Sequence, residues 1–435
     1  MLVAGAGLAG LSAARALESL GARATVVDAR ERVGGRVWTI RDSFRGGQHA
    51  EAGADLIDSE QHAVVNLAKD MGLRLVPILK RGFGYCGANR RGRVCIQSVE
   101  QDFRSIGDAF DDLIDQYRLS ERRWDSAITR HMARQSVADW LNATRADEWL
   151  KSRLRGLRGF FLADPEDLSL LALVDFIAEG GFGSTGDFLR IEDGNDRLAT
   201  EMARRLRSPV RLRTILRRVR QQDGRVTAAL DDRSGLHEVD SDYLIAAMPA
   251  TTLRDVEWSP PLPDPQRDAI ARLRYGSATR LLVQFAERFW KQRGRPDAFG
   301  SDQPTGAIWD GNEQQKGRPG ILSFLAGGSA SRELQAILQA EGLDGVTRRL
   351  IWLGAPAEIL ASRTIVWEDD PLARGGYCYF DPSFDPMFRD WLARPAGRIA
   401  FAGEHTSIRW QGYLNGAVES GQRAAAEVAA MQAMK

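Results

Sequence analysis

Gly5, Gly7 and Gly10 stand at G-x-G-x-x-G spacing directly behind four apolar residues, a pattern able to hold a pyrophosphate. The first glycine allows a tight turn, the second lets the backbone approach the phosphates, and the third lets a helix lie close on a strand. Ala6, Leu8 and Ala9 fill the intervening positions. Leu11, Ala14, Leu17 and Leu20 recur at helical spacing, so a helix N-terminus would offer free N–H groups to the phosphate charge. A second apolar strand, 24–27, ends in Asp28, close to the position about 20 residues on where an acid meets ribose hydroxyls. A lone glycine turn would not also supply strand, helix, second strand and terminal acid.

Asp28-Ala29-Arg30-Glu31-Arg32-Val33-Gly34-Gly35-Arg36 extends the site with two more glycines, and Arg30 and Arg36 can add charge-assisted bonds to phosphate oxygens. This run resembles the acid-x-Arg-x-x-x-Gly-Gly-Arg signature of the flavin-containing amine oxidase superfamily. The resemblance implies FAD rather than NAD. Glu51-Ala52-Gly53-Ala54-Asp55-Leu56-Ile57 resembles the family's Glu-x-Gly-Ala turn beside the flavin ring, with Leu56 where relatives often carry an aromatic. The resemblance also implies that Val210 touches the adenine through its backbone, that Met248 ends a strand near the dinucleotide, and that Trp367 packs near the flavin. Residues 401–406 (FAGEHT) and 412–421 match two further family motifs. They imply cofactor contacts from Gly403, Glu404, Gly412, Tyr413, Leu414 and Ala417, with Glu404 accepting a bond from a ribityl or pyrophosphate-side hydroxyl.

The resemblance therefore spans essentially the whole chain, and what it implies is an FAD-dependent amine oxidase. Hydride leaves the α-carbon of a neutral amine for flavin N5, the imine hydrolyses to an aldehyde or keto acid, and O2 reoxidises the flavin to give H2O2. The cofactor carries the hard chemistry, so no metal, triad or paired carboxylate is required. The competing readings are an FAD-dependent oxidase or desaturase of a non-amine substrate, an FAD-binding protein without turnover, and, more weakly, an NAD-linked dehydrogenase.

Three positions are expected to carry the reaction: Arg280, Tyr413 and Cys378. Monoamine oxidases set two aromatic walls about the amine, and Tyr413 matches one. Counting from Gly375-Gly376, Cys378 takes the other wall and Tyr377 the place where some relatives carry a flavin-linked cysteine. A half-cage and non-covalent FAD are thus expected. Arg280 stands where the family has a lysine that holds a water near N5, and no lysine lies between Lys151 and Lys291. Arginine stays charged where a buried lysine can lose its proton. It would grip the carboxylate of an amino acid substrate, favour a neutral amine, or simply hold the same water.

The fold class expected is α/β: a Rossmann-type FAD-binding domain (GR2-type flavoprotein) joined to a mixed-sheet and helical substrate domain, as in monoamine oxidases. The FAD domain is expected from residues 1–75, 190–257 and 363–435, and the substrate domain from 76–189 and 258–362. The amphipathic stripe from Phe103 to Tyr117 reads as core. With 59 basic and 58 acidic residues, nothing argues for nucleic acid or an anionic membrane surface. No apolar run reaches the ~20 residues of a membrane span. The three cysteines, Cys86, Cys95 and Cys378, are read as reduced thiols in a cytoplasmic enzyme. No signal peptide is evident, though relatives carry residues ahead of this first strand, which leaves a segment or leader upstream of Met1 open. The partners implied are a small amine or amino acid and O2, with room for a homodimer.

Overall fold

The structure, a computed structural model, describes residues 1–88, 94–120, 123–178 and 187–433, with the side chains at 88 and 94–105 also outside the description. The side chains of Cys95 and Phe103 fall in that excluded part.

Strand β1 (Leu2–Ala4), helix α1 (Leu8–Ser19) and strand β2 (Thr25–Val27) form the expected βαβ unit. The helix begins at Leu8 rather than Leu11, so the last glycine lies within its first turn. β1 pairs in parallel with β2 on one side and with Leu244–Ala246 on the other, and Leu244–Ala246 pairs in parallel with Ile399–Phe401. These strands are short apolar runs because both faces are covered. α1 and the last helix, Leu414–Ala433, share one core with Val3 and Ile245. On the other face, Leu2, Ala4 and Leu244 meet Leu216, Val219, Val226 and Leu230 of the antiparallel strands Ile215–Gln222 and Arg225–Asp232.

A seven-stranded sheet makes the second layer. The strand Ala278–Phe285 is buried throughout and runs between Gly320–Gly327 and Ile359–Val366, antiparallel to both. Helix Ser329–Arg348 breaks at Gly342 (φ 63°, ψ −158°) into two helical segments. A separate helical cluster buries Ile106, Phe110, Ile114 and Tyr117, so that stripe is core among the described side chains. Ser136 and Asp139 form a reciprocal capping box at the start of Val137–Ala143.

The expected boundaries need correction. Those at 75/76, 189/190 and 362/363 each fall inside a strand: Leu75–Ile78, Phe188–Ile191 and Ile359–Val366. The first two belong to one three-stranded sheet with Ile57–Asp58, because a sheet ladder cannot be split between two cores without losing its hydrogen bonds. Helix Asp264–Arg272, assigned to the substrate side, buries Ala269 and Ile270 against the core of Leu2 and Ala4.

Candidate active site

A cavity of about 1630 Å3 runs from the glycine turn behind β1 to the aromatic residues of the second layer. Ligand pockets commonly measure ~300–1,000 Å3, so this one has room for a dinucleotide and a substrate together. Its first section is backbone. Gly5 has φ 109°, and a Cβ there would lie 2.5 Å from the Ala247 carbonyl oxygen. A Cβ on Gly10 would lie 1.8 Å from the Gly5 carbonyl oxygen. A Cβ on Gly7 meets no protein atom within 4 Å, and Gly35 lies against Gly7. The N-cap of α1 makes no side-chain cap, so its first N–H groups are left for a ligand. A cradle of open backbone at a helix N-terminus fits the phosphates of a dinucleotide.

Of the residues expected at the cofactor, Ala6, Gly10 and Val210 do not line this cavity, and the others do. Ala6 donates its N–H to Asp28 Oδ2 (2.6 Å) and Gly10 is buried in packing. Val210 is a correction. The chain there makes a single bridge, Val27 to Arg211, and reaches the cavity at Thr214, Ile215 and Leu216.

The polar groups are more fully committed than their types suggest. Asp28 accepts from the Ala6 and Arg30 N–H groups, the second at 2.8 Å, and burial raises its pKa. Each of its oxygens keeps a lone pair for a ribose hydroxyl. Arg30 was expected on phosphate, yet it makes two bonds to Asp370, at 2.8 and 3.0 Å. Arg36 donates from Nη1 to the Gly376 carbonyl (2.8 Å) and to Glu404 Oε1 (2.9 Å). Glu404 Oε2 accepts from the Gly412 N–H (2.9 Å) and the Cys378 thiol (3.0 Å). Burial opposes its ionisation, but Arg36 and its other neighbours outweigh that and hold it below the usual carboxylate range. Glu404 therefore staples the two ends of the chain together, and its Oε1, with Arg36 as donor, keeps a lone pair for the ribityl or pyrophosphate-side hydroxyl expected there.

The cage also needs correction. Cys378 opens the short strand Cys378–Tyr379, and its sulfur lies between Glu404 and Gln411 Nε2, the latter at 3.0 Å. It does not stand as the wall opposite Tyr413. The residue packed on the Gly412–Tyr413 turn is Tyr377: a Cβ on Gly412 would sit 3.2 Å from its ring. The Tyr377 hydroxyl donates to the Phe160 carbonyl, and the Phe160 and Trp410 rings lie 6.2 and 5.6 Å from that of Tyr413. Burial pushes the Tyr377 and Tyr413 phenols well up, so both rings stay neutral.

Arg280 lines the cavity from the strand Ala278–Phe285, 4 % exposed. Nη2 donates to the Gly53 carbonyl (2.7 Å), Nη1 to Ser323 Oγ (3.0 Å), and Nε is buried without a partner among the described residues. Burial lowers its pKa, with Asp55 and Glu51 opposing. The same turn is tied by Trp367, whose Nε1–H donates to the Ala52 carbonyl (3.0 Å).

The sequence model for flavin-containing amine oxidoreductases matches residues 8–429. The chain belongs to that family. It is 26% identical to amine oxidase [flavin-containing] B of Rattus norvegicus over 461 residues, 98% of this chain and 85% of the relative. Among solved structures, cyclohexylamine oxidase from Brevibacterium oxydans IH-35A superposes with a TM-score of 0.88 at 24% identity, covering 100% of this chain and 99% of the other. Putrescine oxidase superposes at 0.84 with 22% identity over 99% and 98% of the two chains. These two show a shared fold.

This flavin-containing amine oxidoreductase uses FAD, and the link is non-covalent: position 377 is a tyrosine and the Cys378 sulfur is bonded to Glu404 and Gln411. Acid precipitation should accordingly leave the pellet colourless and the FAD in the supernatant. A yellow pellet would show a covalent bond. Counting motifs missed Tyr377, Ile215 and Trp309 in the cavity wall. An aromatic beside the matched Gly-Gly was the available signal for the first; nothing in the sequence marked the others.

Proposed function

We propose that this enzyme oxidises an apolar amine lacking a carboxylate of its own. The observation that carries the reading is the neutral aromatic chamber of Tyr413, Tyr377, Phe160, Phe176 and Trp410, continuous with the glycine cradle. FAD, when bound, supplies the hydride acceptor for the amine α-carbon, and O2 then takes the electrons to give H2O2. The protein's part is to orient and to exclude water. Tyr377 and Tyr413 confine the amine between rings, and the ring cluster keeps the chamber dry. The fixed charge of Arg280 disfavours an ammonium ion at this end and so selects the neutral amine. Its Nη groups are bonded to Gly53 and Ser323 and its Nε is enclosed, which argues against a two-point grip on a substrate carboxylate. Among the described residues no group of His, Cys, Asp and Glu could hold a metal ion, and no helix is long and apolar enough to cross a membrane. A cytoplasmic setting is part of the proposal.

Peroxide release on matched pairs of amino acids and their decarboxylated amines tests this. The amines should be turned over and the acids should not; the reverse order would overturn the reading. Tyr413→Ala should slow flavin reduction by roughly tenfold or more while FAD content stays near native, because a ring that orients substrate is lost and the backbone cradle is untouched. Equal loss of FAD and of rate would assign Tyr413 to cofactor retention instead.

A further inference from the structure

We infer that Trp309 is a positioning residue for Arg280, held in place by the buried pair of Asp55 and Arg190. Trp309 lies on the strand Ala307–Asp310 and is 6 % exposed. Its ring face carries the Arg280 guanidinium, with Cζ 4.6 Å from the centroid. Its Nε1–H donates to Asp55 Oδ2 at 2.7 Å. The other oxygen of Asp55 accepts from Arg190 Nε at 2.7 Å, and the two side chains are 2 % and 1 % exposed.

These contacts close a ring. Arg280 donates to the Gly53 carbonyl, Asp55 follows two residues later on the same turn, and Asp55 returns through Trp309 to the face of Arg280. The turn lines the cofactor cavity at Gly53, Ala54 and Asp55. Direct bonds to Gly53 and Ser323 fix the guanidinium within its plane, and the indole face supports it across that plane. A planar cation is held against tilting by an aromatic face in a dry site, where cation–π attraction is strongest. The indole is in turn fixed by a charge-assisted bond to a carboxylate that Arg190 neutralises. Asp55 is thus shared between the only direct anchor of Trp309 seen among the described residues and the turn that Arg280 grips.

The test compares Trp309→Phe, Arg280→Met and the double variant in full-length protein. Trp309→Phe keeps a ring face and removes the N–H, freeing the ring and leaving Asp55 Oδ2 without that donor. Three readouts apply: FAD affinity of the apoprotein, the visible absorption of bound FAD, and kcat against KM for an amine substrate. The first two need no substrate, so they decide the inference even if the amine-oxidase reading on which the third rests were wrong. Trp309→Phe should shift the FAD absorption in the same sense as Arg280→Met and lower kcat about tenfold, with KM within about twofold. In the Arg280→Met background the same change should have almost no further effect, because groups acting as one unit are not additive. Native spectrum and kcat in Trp309→Phe would overturn the inference, as would undiminished effects in the double variant. If Trp309→Phe gives no folded protein, Trp309→Met, which removes both the ring face and the donor while keeping apolar bulk, is scored by the same criteria.

Discussion

Gly10→Ala is expected to give protein that neither folds stably nor binds FAD, whereas Gly7→Ala folds with native stability and loses only the cofactor. The two glycines share one motif but face different neighbours. A methyl at position 10 would sit 1.8 Å from the Gly5 carbonyl oxygen, and Gly5 cannot retreat because it is itself pressed on Ala247. Overpacking of this kind costs roughly 3 kcal/mol or more, a large part of the 5–15 kcal/mol or so that holds a typical domain. At position 7 the methyl meets no protein atom, and φ of −72° suits alanine. Restricting the unfolded chain there adds about 0.4–1 kcal/mol of stability. The methyl does occupy space that a pyrophosphate needs, so FAD affinity should fall on the order of a hundredfold, about 2.7 kcal/mol. Urea midpoints without added FAD, followed by FAD titration, separate the cases. Native FAD affinity in Gly7→Ala would mean that the phosphates do not cross this residue.

Glu51→Gln should raise stability at pH 8 by a few kcal/mol and leave it almost unchanged at pH 5. Glu51 is fully buried and accepts bonds from Thr39 Oγ1 (2.8 Å) and the Asn195 N–H (3.0 Å). Burial, with Asp55 adding to it, pushes its carboxyl up to about 8 from the ordinary 4.5, against the smaller pull of Arg190. Between those values the folded chain holds a proton that the unfolded chain releases. Stability conferred by the neutral carboxyl is therefore full below the unfolded pKa and is lost as pH rises through that window. Glutamine is neutral at every pH and nearly isosteric, and the Thr39 hydroxyl can turn to accept from its amide. Thermal midpoints of the FAD-saturated proteins from pH 5 to 8.5 should converge at the acid end and separate at the alkaline end. Parallel curves would show that Glu51 is ionised in the fold.

The cradle was legible because glycine has no substitute where backbone must touch backbone. Gly5 and Gly10 are required by atoms of the chain itself, and their spacing declares the turn. The C-terminal motifs were legible for a related reason: Gly421 has Ala9 where a Cβ would go, at 2.1 Å from its oxygen. Polar partners were not legible. Arg30 finds Asp370 and Arg36 finds Glu404 across most of the chain, and residue type alone cannot distinguish a protein carboxylate from a phosphate. The cage was misread by one residue because alternation was counted across Gly375, whose φ of 138° turns the backbone. Regular pleating starts only at Cys378, so the orientation of Tyr377 is set by that turn and not by strand period. Arg280 was located as the position of the family's lysine, but Ser323, Gly53 and Trp309 reach it through the sheet, a relation that no local pattern encodes.

The parallel sheet under the cofactor takes its strands in the order Thr25–Val27, Leu2–Ala4, Leu244–Ala246, Ile399–Phe401. A ribosome therefore makes β1 early and leaves its inner neighbour unwritten until more than half the chain has emerged. Helix α1 waits longer still, since the residue that seats against Ala9 is Gly421. A fragment that stops before Leu414 lacks part of the cavity wall, and loss of the last helix removes the packing of Gly421 on Ala9. Bound flavin thus reports chains in which the segments from Leu2 to Gly421 are present together: in a mixed preparation, yellow colour counts only those.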